Sequence, residues 1–242
     1  MSTLQARGAW GLVINRTRSL VLQVCGATYK VHVKAFVARW TVAFAHSLRL
    51  HMRDPGNEAL SNSLNNVLTP TEVSSLVSSA HRPNYCLLVI AHAVTTAFGA
   101  GASKVAALLL LEDARALSDA VGTLERLFRA PIPPSYGRNT TRLLILWWLA
   151  VPFGLVGDLG GAAVLAAPLA TYVLGAVDEI AVALEEPGGT LPAGELCDAV
   201  AQQVNEIVRR DGDAAATAAA AAAAEDGGRA TAPTREDGED QA

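Results

Sequence analysis

The stretch at residues 143–177 constrains the fold most, because it contains a single charged residue, Asp158. A membrane-spanning helix needs about 20 mostly apolar residues. The two apolar segments, 143–157 and 159–177, flank Asp158, and the glycines around it favour a turn. We therefore predict a transmembrane helical hairpin whose two ends lie on the same side of the bilayer. The alternative is a buried hairpin in a soluble helical protein.

Flanking charges orient this hairpin. Arg138 and Arg142 precede it, and the positive-inside rule places them, with the basic N-terminal part of the chain, on the cytosolic side. Asp158 is then expected on the opposite side. Pro152 and Pro168 interrupt the apolar segments, but membrane helices tolerate proline where neighbouring helices or water take up the freed carbonyl groups.

The rest of the chain is predicted to be helical, which makes the fold all-α. Apolar residues recur at helical spacing over 7–53, and Thr69-Pro70-Thr71-Glu72 is typical of a capped helix start. We predict a helical, largely cytosolic-side body at 1–138 and the hairpin at 139–177. A C-terminal helical segment follows at 178–210. The alanine-rich, acidic tail at 211–242 is predicted to be disordered, since it buries little apolar surface.

The N-terminal part of the body is strongly basic. No acidic residue precedes Asp54, whereas eight lysines and arginines do. Such a stretch suits an anionic membrane face, permeating anions or nucleic acid. No nucleic-acid recognition module frames it, so we predict no nucleic-acid partner.

No arrangement of residues typical of catalysis is found in the sequence, so we predict that the protein is not an enzyme and has no cofactor. Cys25, Cys86 and Cys197 are far apart and are expected to be reduced packing thiols. His46 and His51 are poorly spaced for a shared metal, so no metal site is predicted and both are interpreted as surface or interface histidines. The adjacent acids Glu112 and Asp113 are interpreted as part of a solvated face or as partners in ion pairs between subunits.

Three stretches together resemble the bestrophin family of anion channels, in its bacterial and plant-like branch. They are GAWGLVINRTRSL at 8–20, PIPPSYGR at 131–138, and VDEIAV at 177–182 with EEP at 185–187 and LPAGELC at 191–197. The resemblance extends over about residues 7–210, in order and with compatible spacing.

This resemblance implies a homopentamer around a central pore, with membrane helices and a helical cytosolic body, that passes chloride or bicarbonate. Two family membrane helices, one of them lining an apolar neck, are expected before residue 8, where seven residues stand here. Animal members carry a long acidic run that binds calcium, whereas Glu185 and Glu186 are followed here by Pro-Gly-Gly. Calcium gating is therefore not implied.

The resemblance also implies one pore residue. Counting back from Tyr136, the family's lower cytosolic aperture falls on Val105, whose apolar side chain suits a hydrophobic constriction. The alternative is that Val105 only packs in a helix core. Lys104 beside it is predicted to raise the local anion concentration.

The expected partners are small anions, the lipid bilayer and either identical subunits or full-length relatives. The leading hypothesis is an anion channel subunit. The alternatives are a non-conducting accessory or scaffold membrane subunit and a soluble or peripheral helical interaction protein. The expected location is an integral membrane position, in the chloroplast thylakoid or the plasma membrane.

Overall fold

The computed structural model describes residues 2–28, 30–53, 57–98, 104–129, 134–185 and 191–230. These residues form helices and connecting turns, without a strand among them, in agreement with the predicted all-α class. The helices are α1 (Ser2–Ala27), α2 (Val31–Arg53), α3 (Asn57–Leu64), α4 (Pro70–Ser78), α5 (Arg82–Phe98), α6 (Lys104–Arg129), α7 (Pro134–Leu159), α8 (Ala163–Glu185) and α9 (Ala193–Ala230). A short 3-10 turn, Gly160–Ala162, joins α7 to α8.

The helical body is built from α1, α2, α5, α6 and the first part of α9. Helix α1 packs along α6, and α2 packs against both α5 and α9. Their facing stripes bury one continuous apolar core, in which Trp10, Phe44 and Leu117 are among the largest enclosed side chains. Burial of this apolar surface stabilises the body.

Helix α6 shows how the sequence produces this packing. Its buried residues recur every three or four positions along one face, as an amphipathic helix requires: Ala107, Leu110, Asp113, Ala114, Leu117, Ala120, Val121 and Leu124. The long amphipathic pattern thereby fixes which side of α6 meets α1.

The predicted start of α4 is confirmed. The Thr69 side chain accepts a hydrogen bond from the Glu72 backbone amide, and the Glu72 side chain accepts one from the Thr69 amide. This reciprocal capping box satisfies two amides that the first helical turn leaves unpaired.

Long-range ion pairs tie the body helices together. Asp113 on α6 is buried, contrary to its predicted place on a solvated face or between subunits. It accepts hydrogen bonds from Arg16 Nη1 and Gln23 Nε2 on α1, both at 2.8 Å. Lys34 on α2 pairs with Asp211 on α9 at 2.5 Å. These buried carboxylate and ammonium groups are tolerated because each has a charged partner.

The predicted hairpin is present as the antiparallel pair α7 and α8. A Cβ placed on Gly175 of α8 would lie 3.5 Å from the Trp148 ring of α7, which places the two helices side by side. Gly160 has a φ of 52° at the turn, a left-handed conformation that glycine adopts without strain. The stretch Asn139–Ile180 is long and apolar enough to cross a membrane, and none of its most apolar window is buried in the protein.

Helix α9 extends further than expected. Disorder was predicted from residue 211, but the helix continues to Ala230. Alanine has the highest intrinsic helix propensity, so the polyalanine run favours continuing a helix that the body has already nucleated. Asp211, through its contact with Lys34, holds the first turn of this extension against α2.

Several sequence features lie outside the described residues. These are the breaker at 99–101, most of the connector at 130–133, the acidic loop from 186 and the last residues of the chain.

Candidate functional site

The two residues predicted to act on anions begin helix α6. Lys104 is its first residue and Val105 its second, and both side chains are exposed. Val105 is 65% exposed, so it does not pack in the core of its own subunit, and the core alternative for this residue is not supported. Its role as an aperture stays a prediction.

Val105 belongs to an exposed apolar face. Leu108 and Leu109, three and four residues further along, are 63% and 57% exposed on the same side of the helix. One turn later the face becomes polar, where Glu112 pairs with Arg115 at 3.7 Å. We call the three residues Val105, Leu108 and Leu109 the α6 apolar face. It lies at the N-terminal, partially positive end of a long helix, which favours nearby anions.

The basic N-terminal part of the body is partly neutralised within the fold. Arg16 is paired with Asp113, Lys34 with Asp211, and Arg39 with Glu72 at 3.2 Å. Each of these three cations therefore links two helices through an ion pair. The folded N-terminal part therefore presents less net positive charge at its surface than its sequence alone indicates.

A second group of polar side chains lies at the other end of α6. Nε2 of His51, near the end of α2, is 2.8 Å from Oε1 of Glu125 on α6. Nε2 of His81, which immediately precedes α5, is 3.1 Å from the same oxygen. The two imidazole centroids are 4.7 Å apart. We call His51, His81 and Glu125 the histidine–glutamate cluster.

Arg129 completes the surroundings of this cluster. Its Nη2 is 2.9 Å from Nε2 of His51, and its Nη1 is 3.9 Å from Glu125 Oε1. Burial acts to raise the pKa of Glu125, but the His51 hydrogen bond and the nearby His81 outweigh it and hold that pKa below its ordinary value. His51 and Arg129, together with Arg82, line a cavity of about 430 Å³.

No sequence pattern indicates this cluster. His51, His81 and Glu125 are separated by tens of residues and belong to no spacing motif, so only the packing of α2, α5 and α6 brings them together. His46 and His51 share helix α2, whereas the other members of the cluster lie on α6 and immediately before α5. The interpretation of His51 as a surface or interface histidine was therefore incomplete.

The three cysteines agree with the predicted packing role. Cys25, Cys86 and Cys197 are free and buried. Burial raises the pKa of both Cys86 and Cys197 to about 12. Neutral, enclosed thiols of this kind are poor nucleophiles and poor metal ligands.

Residues 4–206 match the family model described as Bacterial/Fungal Bestrophin protein. The chain is 29% identical over 208 residues to "Voltage-dependent chloride channel 2, chloroplastic" of Arabidopsis thaliana, covering 84% of this chain and 50% of that protein. It is 25% identical over 213 residues to a voltage-dependent anion channel-forming protein of Nostoc, covering 84% of this chain and 68% of that protein. The chain spans about half the length of the chloroplast relatives it matches.

The fold is also similar to solved structures. The chain aligns with a crystal structure of a bacterial bestrophin homolog from Klebsiella pneumoniae with a TM-score of 0.79 and 25% sequence identity. The alignment covers 86% of this chain and 79% of that chain.

Proposed function

The chain belongs to the bacterial/fungal bestrophin family, and on this premise we propose that it is a subunit of an anion channel that passes chloride or bicarbonate passively through a pore formed by several subunits. The observation that carries the proposal is that relatives matched over 84% of this chain are named as chloride or anion channels. Relatives of this kind favour conduction over the scaffold alternative.

The hairpin supports the membrane part of the proposal. Large apolar side chains of α7 and α8 point away from the protein, including Phe153, Leu165 and Tyr172. A soluble monomer rarely exposes an apolar surface of this extent to water. Lipid or neighbouring subunits would shield these side chains from water. Relatives from chloroplasts and from bacteria both match, and either setting provides such a bilayer.

The start of α6 supports the pore part. In a ring of subunits, five in our proposal, the α6 apolar face would be repeated around the axis. Val105 would then form a narrow apolar ring that resists wetting, and Lys104 with the positive helix end would concentrate anions beside it. No proton transfer or covalent step is required.

The test is chloride flux into lipid vesicles that hold the purified full chain and a chloride-quenched dye. Val105→Ser should raise the flux severalfold, since a hydroxyl wets the constriction. The matched control is Val31→Ser, because Val31 is likewise an exposed valine at a helix start and follows Lys30 as Val105 follows Lys104. Lys104→Glu should lower the flux, whereas Lys30→Glu should leave it unchanged.

Flux no greater than that of protein-free vesicles would contradict the channel proposal. Equal responses at Val105 and Val31 would retain the channel but remove Val105 from its aperture.

A further inference from the structure

The histidine–glutamate cluster has a hydrogen-bonding arrangement that its own side chains do not satisfy. Nε2 of His51 lies within 3 Å of both Glu125 Oε1 and Arg129 Nη2. With a proton, this nitrogen donates to Glu125 but faces the N–H of Arg129. Without a proton, it accepts from Arg129 but faces the carboxylate. One ring nitrogen has a single site for either a proton or a lone pair, so one of the two contacts is always mismatched.

A metal ion removes this mismatch. We propose that His51, His81 and Glu125 form a binding site for a zinc-class divalent cation, and that Arg129 occupies the position of the cation when no ion is bound. Each of the three side chains would then offer a lone pair to the ion, and the guanidinium group would withdraw. The proposal goes beyond the channel function and does not depend on it.

The geometry fits the chemistry of zinc. The three candidate ligand atoms all lie within 4.8 Å of one another. Zinc bonds to imidazole nitrogen and carboxylate oxygen at about 2.0–2.2 Å, so neighbouring ligands of a tetrahedral site are about 3.3 Å apart. The present separations of 2.8 and 3.1 Å to Glu125 are slightly shorter than this, and the two histidine ligand atoms lie no more than 4.8 Å apart. Two imidazoles and one carboxylate suit zinc better than calcium or magnesium, which prefer oxygen ligands.

The fourth position has room for another ligand. His51 lines the cavity of about 430 Å³, whose wall also includes Arg82 and Arg129. Three protein ligands and one open position are typical of zinc sites that hold water or an anion. With two arginines nearby, a small anion is a suitable fourth ligand.

Two features oppose binding and make the proposal specific. Arg129 brings a positive charge, but its side chain is 62% exposed and can swing into solvent. The Asn84 amide donates a long, 3.4 Å hydrogen bond to Nδ1 of His81, which favours a proton on Nε2. Metal binding would move this proton to Nδ1 and give up that contact. Because the charge of Arg129 opposes the ion, the affinity for zinc should increase when this arginine is replaced by a neutral residue.

The ligands come from three elements, α2, the residue before α5, and α6. A bound ion would link these elements at one point of the body. Glu125 lies 20 residues from Val105 on α6, which corresponds to about 30 Å along the helix. The ion would therefore act on the helix whose other end carries the α6 apolar face, without contacting that face.

The experiment is a calorimetric titration of the full chain in detergent with Zn²⁺ alone, after removal of any affinity tag. We expect one site per chain. His51→Gln, His81→Gln and Glu125→Gln should each weaken binding by at least about tenfold. His92→Gln is the matched control, because His92 is exposed on α5 away from the cluster, and it should leave the affinity unchanged.

Arg129→Gln provides the second arm and should leave the fold intact, since it changes an exposed side chain. We expect it to tighten zinc binding severalfold. The proposal would be overturned if the wild type had no zinc site or if the three cluster variants bound zinc as tightly as the wild type. Weaker zinc binding by Arg129→Gln than by the wild type would also overturn it. Helical circular dichroism of each variant separates loss of the site from loss of the fold.

Discussion

In the helical body, the large apolar side chains of Trp10, Phe44 and Leu117 are at most 2% exposed, whereas Phe153, Leu165 and Tyr172 in the hairpin are at least 76% exposed. Both regions are helical and rich in apolar residues. They differ in the distribution of those residues, which form one stripe on the body helices and surround α7 and α8 on all sides. A stripe is covered by a neighbouring helix, but an apolar surface on every side needs an apolar surrounding.

The two regions also differ in their use of charge. The body joins its helices with buried or half-buried ion pairs, such as Arg16 with Asp113. The apolar segments of the hairpin contain Asp158 alone, at the turn, where it is exposed. This contrast indicates that the body folds against water and the hairpin against lipid or other subunits.

The largest expected effect is a phenylalanine truncation in the body. Phe44→Ala should lower the free energy of unfolding by about 3–5 kcal/mol, because it leaves a cavity in a closed core. Phe153→Ala in the hairpin should change it by less than about 0.5 kcal/mol in detergent, since this ring contacts its surroundings rather than the core. Urea unfolding followed by circular dichroism compares them. Similar losses in both variants would end the distinction between the regions.

A charge in the middle of the second apolar segment, 159–177, tests the surroundings of the hairpin. Leu169→Arg should disfavour membrane insertion by about 2.5–3.5 kcal/mol, because the guanidinium is placed in hydrocarbon. Leu88→Arg, at an exposed leucine of α5, is the control and should insert normally. The readout is the fraction that resists alkaline carbonate extraction. Unchanged resistance of Leu169→Arg would argue against a lipid-facing α8.

The buried carboxylate of the body gives an intermediate effect. Asp113→Asn should cost about 2 kcal/mol of unfolding free energy, since it removes the charge that Arg16 and Gln23 are arranged to meet. Glu112→Gln, at the exposed neighbour, should cost little. Chemical denaturation of the two variants and the wild type separates them. A larger loss for Glu112→Gln would contradict the account of α6.

The smallest effect is at the cap of α4. Thr69→Ala should cost about 1 kcal/mol of unfolding free energy by removing the capping hydrogen bond. Burial acts to raise the pKa of Glu72, but hydrogen bonds from Thr69 and the proximity of Arg39 hold it below the ordinary value. The contribution of Glu72 is therefore complete above the unfolded-state pKa of glutamate and is lost as the pH falls through the lower folded-state pKa.

Denaturation of the wild type and Glu72→Gln across this acidic range measures that contribution. The difference between them should shrink as the pH falls, and growth of the difference would reverse the assigned sign.

The sequence was most informative where local rules decide the structure. The hairpin follows from composition, and the α4 start follows from Thr69 and Glu72 three residues apart. Long-range pairing was not predictable. Asp113 was placed on a solvated face or between subunits because Glu112 is next to it, and its partner Arg16 is 97 residues away. Helix α9 is longer than predicted because alanine's helix propensity continues a helix that the body has nucleated, although low complexity alone indicates disorder.

The site was predictable only in part. The resemblance implies Val105 and the charge beside it indicates Lys104, and their exposure at the start of α6 agrees with a role outside the core. The histidine–glutamate cluster depends on how three helices cross, which periodicity does not specify. Motifs within one helix are therefore accessible from the sequence, but clusters between helices are not.

The most direct test of the central claim is the reversal potential of the full chain in a planar lipid bilayer with a potassium chloride gradient. The account predicts a current whose reversal potential shifts toward the chloride equilibrium potential. A shift toward the potassium equilibrium potential, or no current above that of the bare bilayer, would contradict it.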